Sequence, residues 1–140
     1  MLFEKRARSI KRLLVVEDEP LLAFDNEHLL VESGFEVVAT VDRVAEAIAA
    51  IEAEQIDLIL ADVRLSDGDS GIDVARAAYA SGIPVLFVSG HCPVEAERFA
   101  VGCLAKPYRQ RDLLDAIDAV EGVLKGRRKR KPPEGLTLYS

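Results

Sequence analysis

Apolar positions fall into short dense runs separated by longer stretches of mixed polarity. The runs at Leu13–Val16, Phe35–Thr40, Asp57–Ala61, Pro84–Val88 and Cys103–Ala105 are strand-length and apolar at most positions. Such runs suit strands covered on both faces. The intervening stretches carry apolar residues at helical spacing. Pro20–Ser33 places Leu21, Leu22, Phe24, Leu29 and Leu30 among Asp25, Glu27 and Glu32, with Pro20 suited to the first turn and Gly34 to the left-handed position that ends it. Arg43–Ala53 sets Val44, Ala47, Ile48 and Ile51 on one stripe, with Asp42 as its expected cap. Gly71–Ser81 stops at Gly82 before Pro84, Val94–Val101 is short and weakly patterned, and Arg109–Leu124 carries Leu113, Leu114, Ile117, Val120 and Val123.

Five strand–helix units in sequence demand a parallel sheet with right-handed crossovers. The expected fold is α/β: a flavodoxin-like doubly wound five-stranded parallel sheet, order 2-1-3-4-5, with five helices. The 140 residues suit one domain, and 49% hydrophobic against 30% charged residues give it a core while excluding disorder as the overall state. No apolar run approaches the ~20 residues of a membrane span. The opening MLFEKRARSIKR lacks the apolar region of a signal peptide. Two cysteines are too few for a disulfide scaffold, which points to a reducing, cytoplasmic setting.

The net charge of −6 is unevenly spread. Residues 1–12 carry five basic groups against Glu4, residues 125–140 carry six against Glu134, and the segment between has 7 basic and 22 acidic residues, a net of −15. The expected organisation is a basic extension over 1–10, one domain over 11–124, and a basic, proline-containing tail over 125–140. An acidic body argues against nucleic-acid binding, and the tail lacks aromatic interleaving and a recognition helix. Its simplest reading is a solvated run, although Leu136, Leu138 and Tyr139 could dock on the domain or on a partner.

In a doubly wound sheet, functional groups gather beyond the carboxyl ends of the strands. Glu17, Asp18 and Glu19 follow the first run, Asp62 the third, Ser89, Gly90 and His91 the fourth, and Lys106 and Pro107 the fifth. The first and third strands are neighbours in the expected order, so Glu17, Asp18 and Asp62 should converge. Three adjacent carboxylates repel and need a compensating charge, which a hard divalent cation such as Mg²⁺, together with Lys106, would supply. Glu19 reads better as a first-turn helix residue than as a ligand. His91, Cys92 and Cys103 match no zinc spacing, and His28 reads as a surface residue.

The motifs VVEDEP (15–20), LILADVRL (58–65), VSG (88–90) and AKPY (105–108), in this order at these strand ends, resemble the receiver domain of bacterial two-component response regulators. The resemblance covers residues 11–124. It implies that Asp62 is the phosphoacceptor, taking a phosphoryl group from a sensor histidine kinase or histidine phosphotransfer protein. It also implies Mg²⁺ held by Asp18, Asp62 and the main-chain carbonyl of Arg64, with Glu17 acting through water. Lys106 and Ser89 would contact the phosphoryl oxygens, and Arg64 and His91 would tune its lifetime. Beyond its own phosphorylation and dephosphorylation, such a domain is not an enzyme. With 16 residues after position 124, the expectation is a stand-alone domain that signals through an unidentified downstream protein, dimerisation being left open.

Three departures from the family pattern stand out. Cys103 occupies the place of a switching aromatic, and a small thiol there cannot report Ser89 movement by ring rotation. The loop VRLSDGDSG has Ser66 where proline is common, and one extra residue before Gly71. The first acidic residue is Glu17 rather than aspartate. Two other functions compete: a phosphorylation-independent interaction module with the same fold, and a Mg²⁺-dependent phosphohydrolase. The latter class needs an acid/base carboxylate two residues after the nucleophile, where this chain has Arg64.

Overall fold

The computed structural model describes residues 8–127 and 132–139. The chain order is β1 (Arg12–Val16), α1 (Pro20–Glu32), β2 (Glu36–Val41), α2 (Val44–Ala53), β3 (Leu58–Ala61), α3 (Gly71–Ala80), β4 (Val85–Ser89), β5 (Gly102–Ala105), α4 (Gln110–Leu124) and β6 (Leu136–Leu138). Two 3-10 segments, Ser66–Gly68 and Val94–Phe99, follow β3 and β4 respectively. The fourth crossover, whose apolar pattern is the weakest, therefore forms a tighter helix than the others. The sheet has six strands in the order β2-β1-β3-β4-β5-β6, so the expected parallel order holds from β2 to β5.

Alternation along each strand divides the core into two layers. Leu13 and Val15 of β1 pack with Leu60, Leu86, Leu113 and Ile117 on the face covered by α1 and α4. Leu14 and Val16 pack with Ile59, Phe87, Ala47 and Val74 on the face covered by α2 and α3. Covering both faces accounts for the near-continuous apolar runs of the central strands.

The sixth strand is a departure from the five-strand expectation. It comes from the tail and runs antiparallel to β5, pairing Gly102 with Leu138, Cys103 with Thr137 and Leu104 with Leu136. Leu136 is buried against the α1/α4 layer. Gly102 makes this approach possible, because a Cβ there would lie 2.5 Å from the Thr137 carbonyl oxygen.

Asp42 does not cap α2. The side chain of Asp69 does, accepting from the Val44 amide at 2.8 Å. Arg43 reaches across to the same loop, pairing with Asp69 at 3.1 Å and Asp67 at 3.3 Å. The loop after β3 is thereby tied to α2, and its extra residue is absorbed at Asp67, in the left-handed region with φ 58°.

The described parts of the basic ends fold against the acidic body. Arg12 pairs with Glu36 and Glu54, Arg8 lies 4.2 Å over the Phe35 ring, and Lys125 pairs with Glu121. The buried Glu121 carboxylate also accepts from the amides of Ser9 and Ile10, clamping the chain before β1 onto α4. Lys5, Arg6 and residues 128–131 lie outside the described residues. His28 is exposed as expected, stacked on Phe24 and beside Glu32.

Candidate functional site

Glu17, Asp62 and Lys106 each sit one residue past the end of a strand, and the ladder continues beyond the strands to hold them. The Glu17 amide donates to Val41 O at 2.9 Å, the Asp62 amide to Val16 O at 2.9 Å, and the Lys106 amide to Ser89 O at 2.9 Å. The ends of β1, β2 and β3 are thus tied together, as are those of β4 and β5, before any side chain takes part. Gly71 fits the same geometry: it opens α3 so close to β3 that a Cβ would meet the Asp62 carbonyl oxygen at 2.0 Å. Only glycine is compatible with that approach.

The side chains converge as expected for the core of the site. Oxygen atoms of Glu17, Asp18 and Asp62 lie within 4.8 Å of one another. The Lys106 ammonium sits among them, 2.8 Å from Asp62 Oδ2 and 3.1 Å from Glu17 Oε1. Glu17 and Asp62 are buried and Asp18 is half-buried. Burial pushes the Glu17 carboxyl up, against the Glu19 amide and Lys106, which favour its charged form. Burial alone would lower the pKa of Lys106, but the hydrogen bonds and charges of Asp62 and Glu17 hold it above the ordinary lysine value. Its ammonium is therefore a permanent countercharge. A compact all-oxygen donor set with one side open to solvent suits a hard divalent cation that keeps part of its water shell.

Several neighbours of the site were not legible as such in the sequence. Glu19 lies just before the helix rather than in its first turn, and its carboxylate reaches Lys106 at 3.2 Å. Ser66, at the departure from the family pattern, donates its hydroxyl to Asp18 Oδ2 at 3.3 Å. Tyr108 hydrogen-bonds Asn26 of α1 at 2.9 Å, which fastens the Lys106–Pro107–Tyr108 segment, with its cis Lys106–Pro107 bond, to the helix that follows Asp18. A KPY tripeptide carries no signal for a partner 82 positions away.

The other expected residues are placed as follows. Arg64 is exposed and donates its amide to Asp62 Oδ1 at 3.3 Å. Ser89 is buried at the end of β4, and its hydroxyl is held by its own turn: it donates to the His91 carbonyl at 3.1 Å and accepts from the His91 amide at 3.2 Å. The His91 side chain is exposed. Cys103 is not a free thiol. It is fully buried in β5 and bonded to Cys92, with the two Cα atoms 6.0 Å apart. Counting cysteines could not reveal this, because proximity arises only when β5 packs beside the turn that leaves β4.

This arrangement agrees with comparisons to known proteins. The response regulator receiver domain family matches residues 13–118. The chain belongs to that family. This receiver domain is 34% identical over 115 residues to the phyllosphere-induced regulator PhyR of Methylorubrum extorquens, a match covering 76% of the chain and 42% of that protein. It is 32% identical to the transcriptional regulatory protein PdtaR of Mycobacterium tuberculosis, covering 77% of the chain and 55% of the relative. The chain spans about half the length of the curated relatives it matches. Among solved structures, a CheY-like receiver domain protein from Methanospirillum hungatei superposes with a TM-score of 0.73 at 28% identity, over 84% of this chain and 98% of that one. PhyR from Brucella abortus superposes with a TM-score of 0.68 at 30% identity, over 85% and 50%. Among the described residues of this receiver domain, no helix is long and apolar enough to cross a membrane.

Proposed function

We propose that this receiver domain is the phosphoacceptor of a two-component relay, working in the cytoplasm and passing its signal on through protein–protein contact. The observation that carries the reading is the Asp62 carboxylate, held 2.8 Å from the Lys106 ammonium and ringed by Glu17 and Asp18. An Asp62 carboxylate oxygen attacks the phosphorus of a phosphohistidine on a sensor kinase or phosphotransfer protein. The P–N bond breaks, the imidazole leaves with its electron pair, and an acyl phosphate forms on Asp62.

The residues divide the work. Lys106 neutralises charge on the transferring oxygens, and positioning plus electrostatics supply most of the acceleration in such transfers. Asp18, Asp62 and the Arg64 carbonyl would hold Mg²⁺, with Glu17 acting through water; the bound ion supplies further charge neutralisation at the phosphoryl oxygens. Ser89 exchanges its bonds within the turn for one to a phosphoryl oxygen. Arg64 and His91, exposed in the loops that follow Asp62 and Ser89, would bear on the approach of hydrolytic water. Leu21 and Phe24 are strongly exposed on α1, the helix that follows Glu17 and Asp18, and form an apolar surface beside the acceptor on which a phosphodonor can dock.

Incubation with Mg²⁺ and acetyl phosphate tests the reading by intact mass. The expected result is an adduct of about +80 Da, one phosphoryl group, present in the wild type and absent in Asp62→Ala. No adduct, and no labelling by a histidine kinase, would instead favour a phosphorylation-independent module. Turnover of a phosphomonoester would favour a hydrolase, against which stands Arg64 in place of an acid/base carboxylate.

A further inference from the structure

The bond between Cys92 and Cys103 joins two short arms of the site. Cys92 lies three residues after Ser89, and Cys103 three residues before Lys106. One sulfur belongs to a half-buried turn, the other to the fully buried interior of β5. The turn between Ser89 and Cys92 is the one that occupies the Ser89 hydroxyl on both its donor and acceptor sides, through His91. Covalent attachment of Cys92 to β5 therefore fixes the turn whose bonds the Ser89 hydroxyl would have to leave to reach another partner. Pro93, buried directly after Cys92, and Ala96, fully buried in the following 3-10 segment, seat the rest of this crossover on the sheet. Cys92 is half-buried among the exposed residues His91, Val94 and Glu95, so its side of the bond is the one nearer to solution.

We propose that Cys92–Cys103 is a reversible redox-modification site whose state sets the freedom of the Ser89 turn, the oxidised form latching it and the reduced form releasing it. The co-reactant is a dithiol, small or carried by a protein. Its thiolate attacks Cys92 Sγ, the S–S bond breaks, and Cys103 leaves as a thiolate that takes up a proton. The second thiol of the reductant then attacks the mixed disulfide, closes its own ring and releases Cys92. Two electrons and two protons pass from the dithiol to the protein, and the reverse exchange with a cyclic disulfide closes the latch. Disulfides in reducing compartments are mostly catalytic or redox-sensing rather than structural, in keeping with this assignment in the cytoplasmic setting proposed above. The link to signalling rests on the phosphoacceptor reading; the latch itself does not.

The full-length protein is prepared oxidised and, after equilibration with dithiothreitol and anaerobic buffer exchange, reduced. Alkylation in denaturant, after the reductant is removed from the folded protein, should add two groups to the reduced form and none to the oxidised form. Amide hydrogen exchange across residues 89–93 should speed up at least about fivefold on reduction, with the exchange of β1 and β3 unchanged. Phosphorylation by acetyl phosphate should be faster in the reduced form by roughly fivefold or more, the lower end of ordinary coupling between sites. Cys92→Ser and Cys103→Ala should both behave as the reduced form whether or not dithiothreitol is present. A pair that resists reduction in the folded protein, or exchange across 89–93 that is the same in both states, overturns the proposal. Altered exchange with no phosphoryl adduct in either state leaves the latch standing and removes the phosphoacceptor reading. Altered exchange with equal phosphorylation rates overturns the coupling to Asp62.

Discussion

Among the described residues, Lys106 is the cation that touches three carboxylates of the site, those of Asp62, Glu17 and Glu19. Its charge is secured by the same neighbours it neutralises. Because its pKa is raised on folding, the stability it contributes is present in full below its ordinary value of 10.5 and is lost only in strong alkali, as pH rises through the higher folded value. Its protonation is therefore constant across the working range and cannot act as a pH switch. In Lys106→Ala the carboxylates lose this countercharge while the cation-binding oxygens stay in place. Acetyl phosphate labelling should fall about 100-fold, the scale for deleting one electrostatic stabiliser of a transferring group. Mg²⁺ affinity, measured by calorimetry, should be no weaker than wild type, because no ammonium then competes for the same oxygens. Unchanged labelling would remove Lys106 from the chemistry.

At the scale of elements, the departures from expectation cluster where caps and loops are decided by distant partners. Asp42 has the residue type and sequence position of a cap, yet Asp69, 25 residues beyond Val44, takes the role. Sequence proximity favours the first, whereas the tie between Arg43 and the β3–α3 loop favours the second. The Val44 amide and Arg43 hold the Asp69 carboxyl below its ordinary 3.8. A lowered folded pKa contributes stability above that ordinary value and loses it as pH falls through the folded value. Asp69→Ala should therefore lower the melting temperature by about 3 °C at neutral pH. The difference from wild type should shrink as pH is taken below 3.8 and vanish in stronger acid. Parallel thermal melts across that range check this, and a gap that persists in acid would show that the contact is not ionic. The central strands follow their apolar runs because both faces are covered, whereas α1 buries Ala23 and Leu30 and leaves Leu21 and Phe24 exposed. The Val94–Phe99 segment, with little apolar pattern of its own, takes a 3-10 form set by its anchors at Cys92 and Ala96.

For the molecule as a whole, the tail matters beyond its charge. Leu136–Leu138 covers the β5 edge, which would otherwise expose unpaired backbone groups beside the acceptor-bearing sheet. A chain ending at Arg127 should lose about 2 kcal/mol, the contribution of one buried leucine, and should self-associate through the bared edge. Denaturant titration and light scattering read the two effects, and an unchanged titration midpoint would show that β6 adds nothing. The sequence by itself determined the alternating βα plan, the two-faced core and the meeting of Glu17, Asp18, Asp62 and Lys106 beyond the carboxyl ends of the strands. Those follow from local periodicity and from one topological rule. Tertiary structure alone decided the sixth strand, the Asp69 cap, the Asn26–Tyr108 tie and the joining of Cys92 to Cys103. Each of these depends on which residues distant in the chain come within bonding distance. No period in the sequence encodes that distance; the packing of the completed sheet sets it.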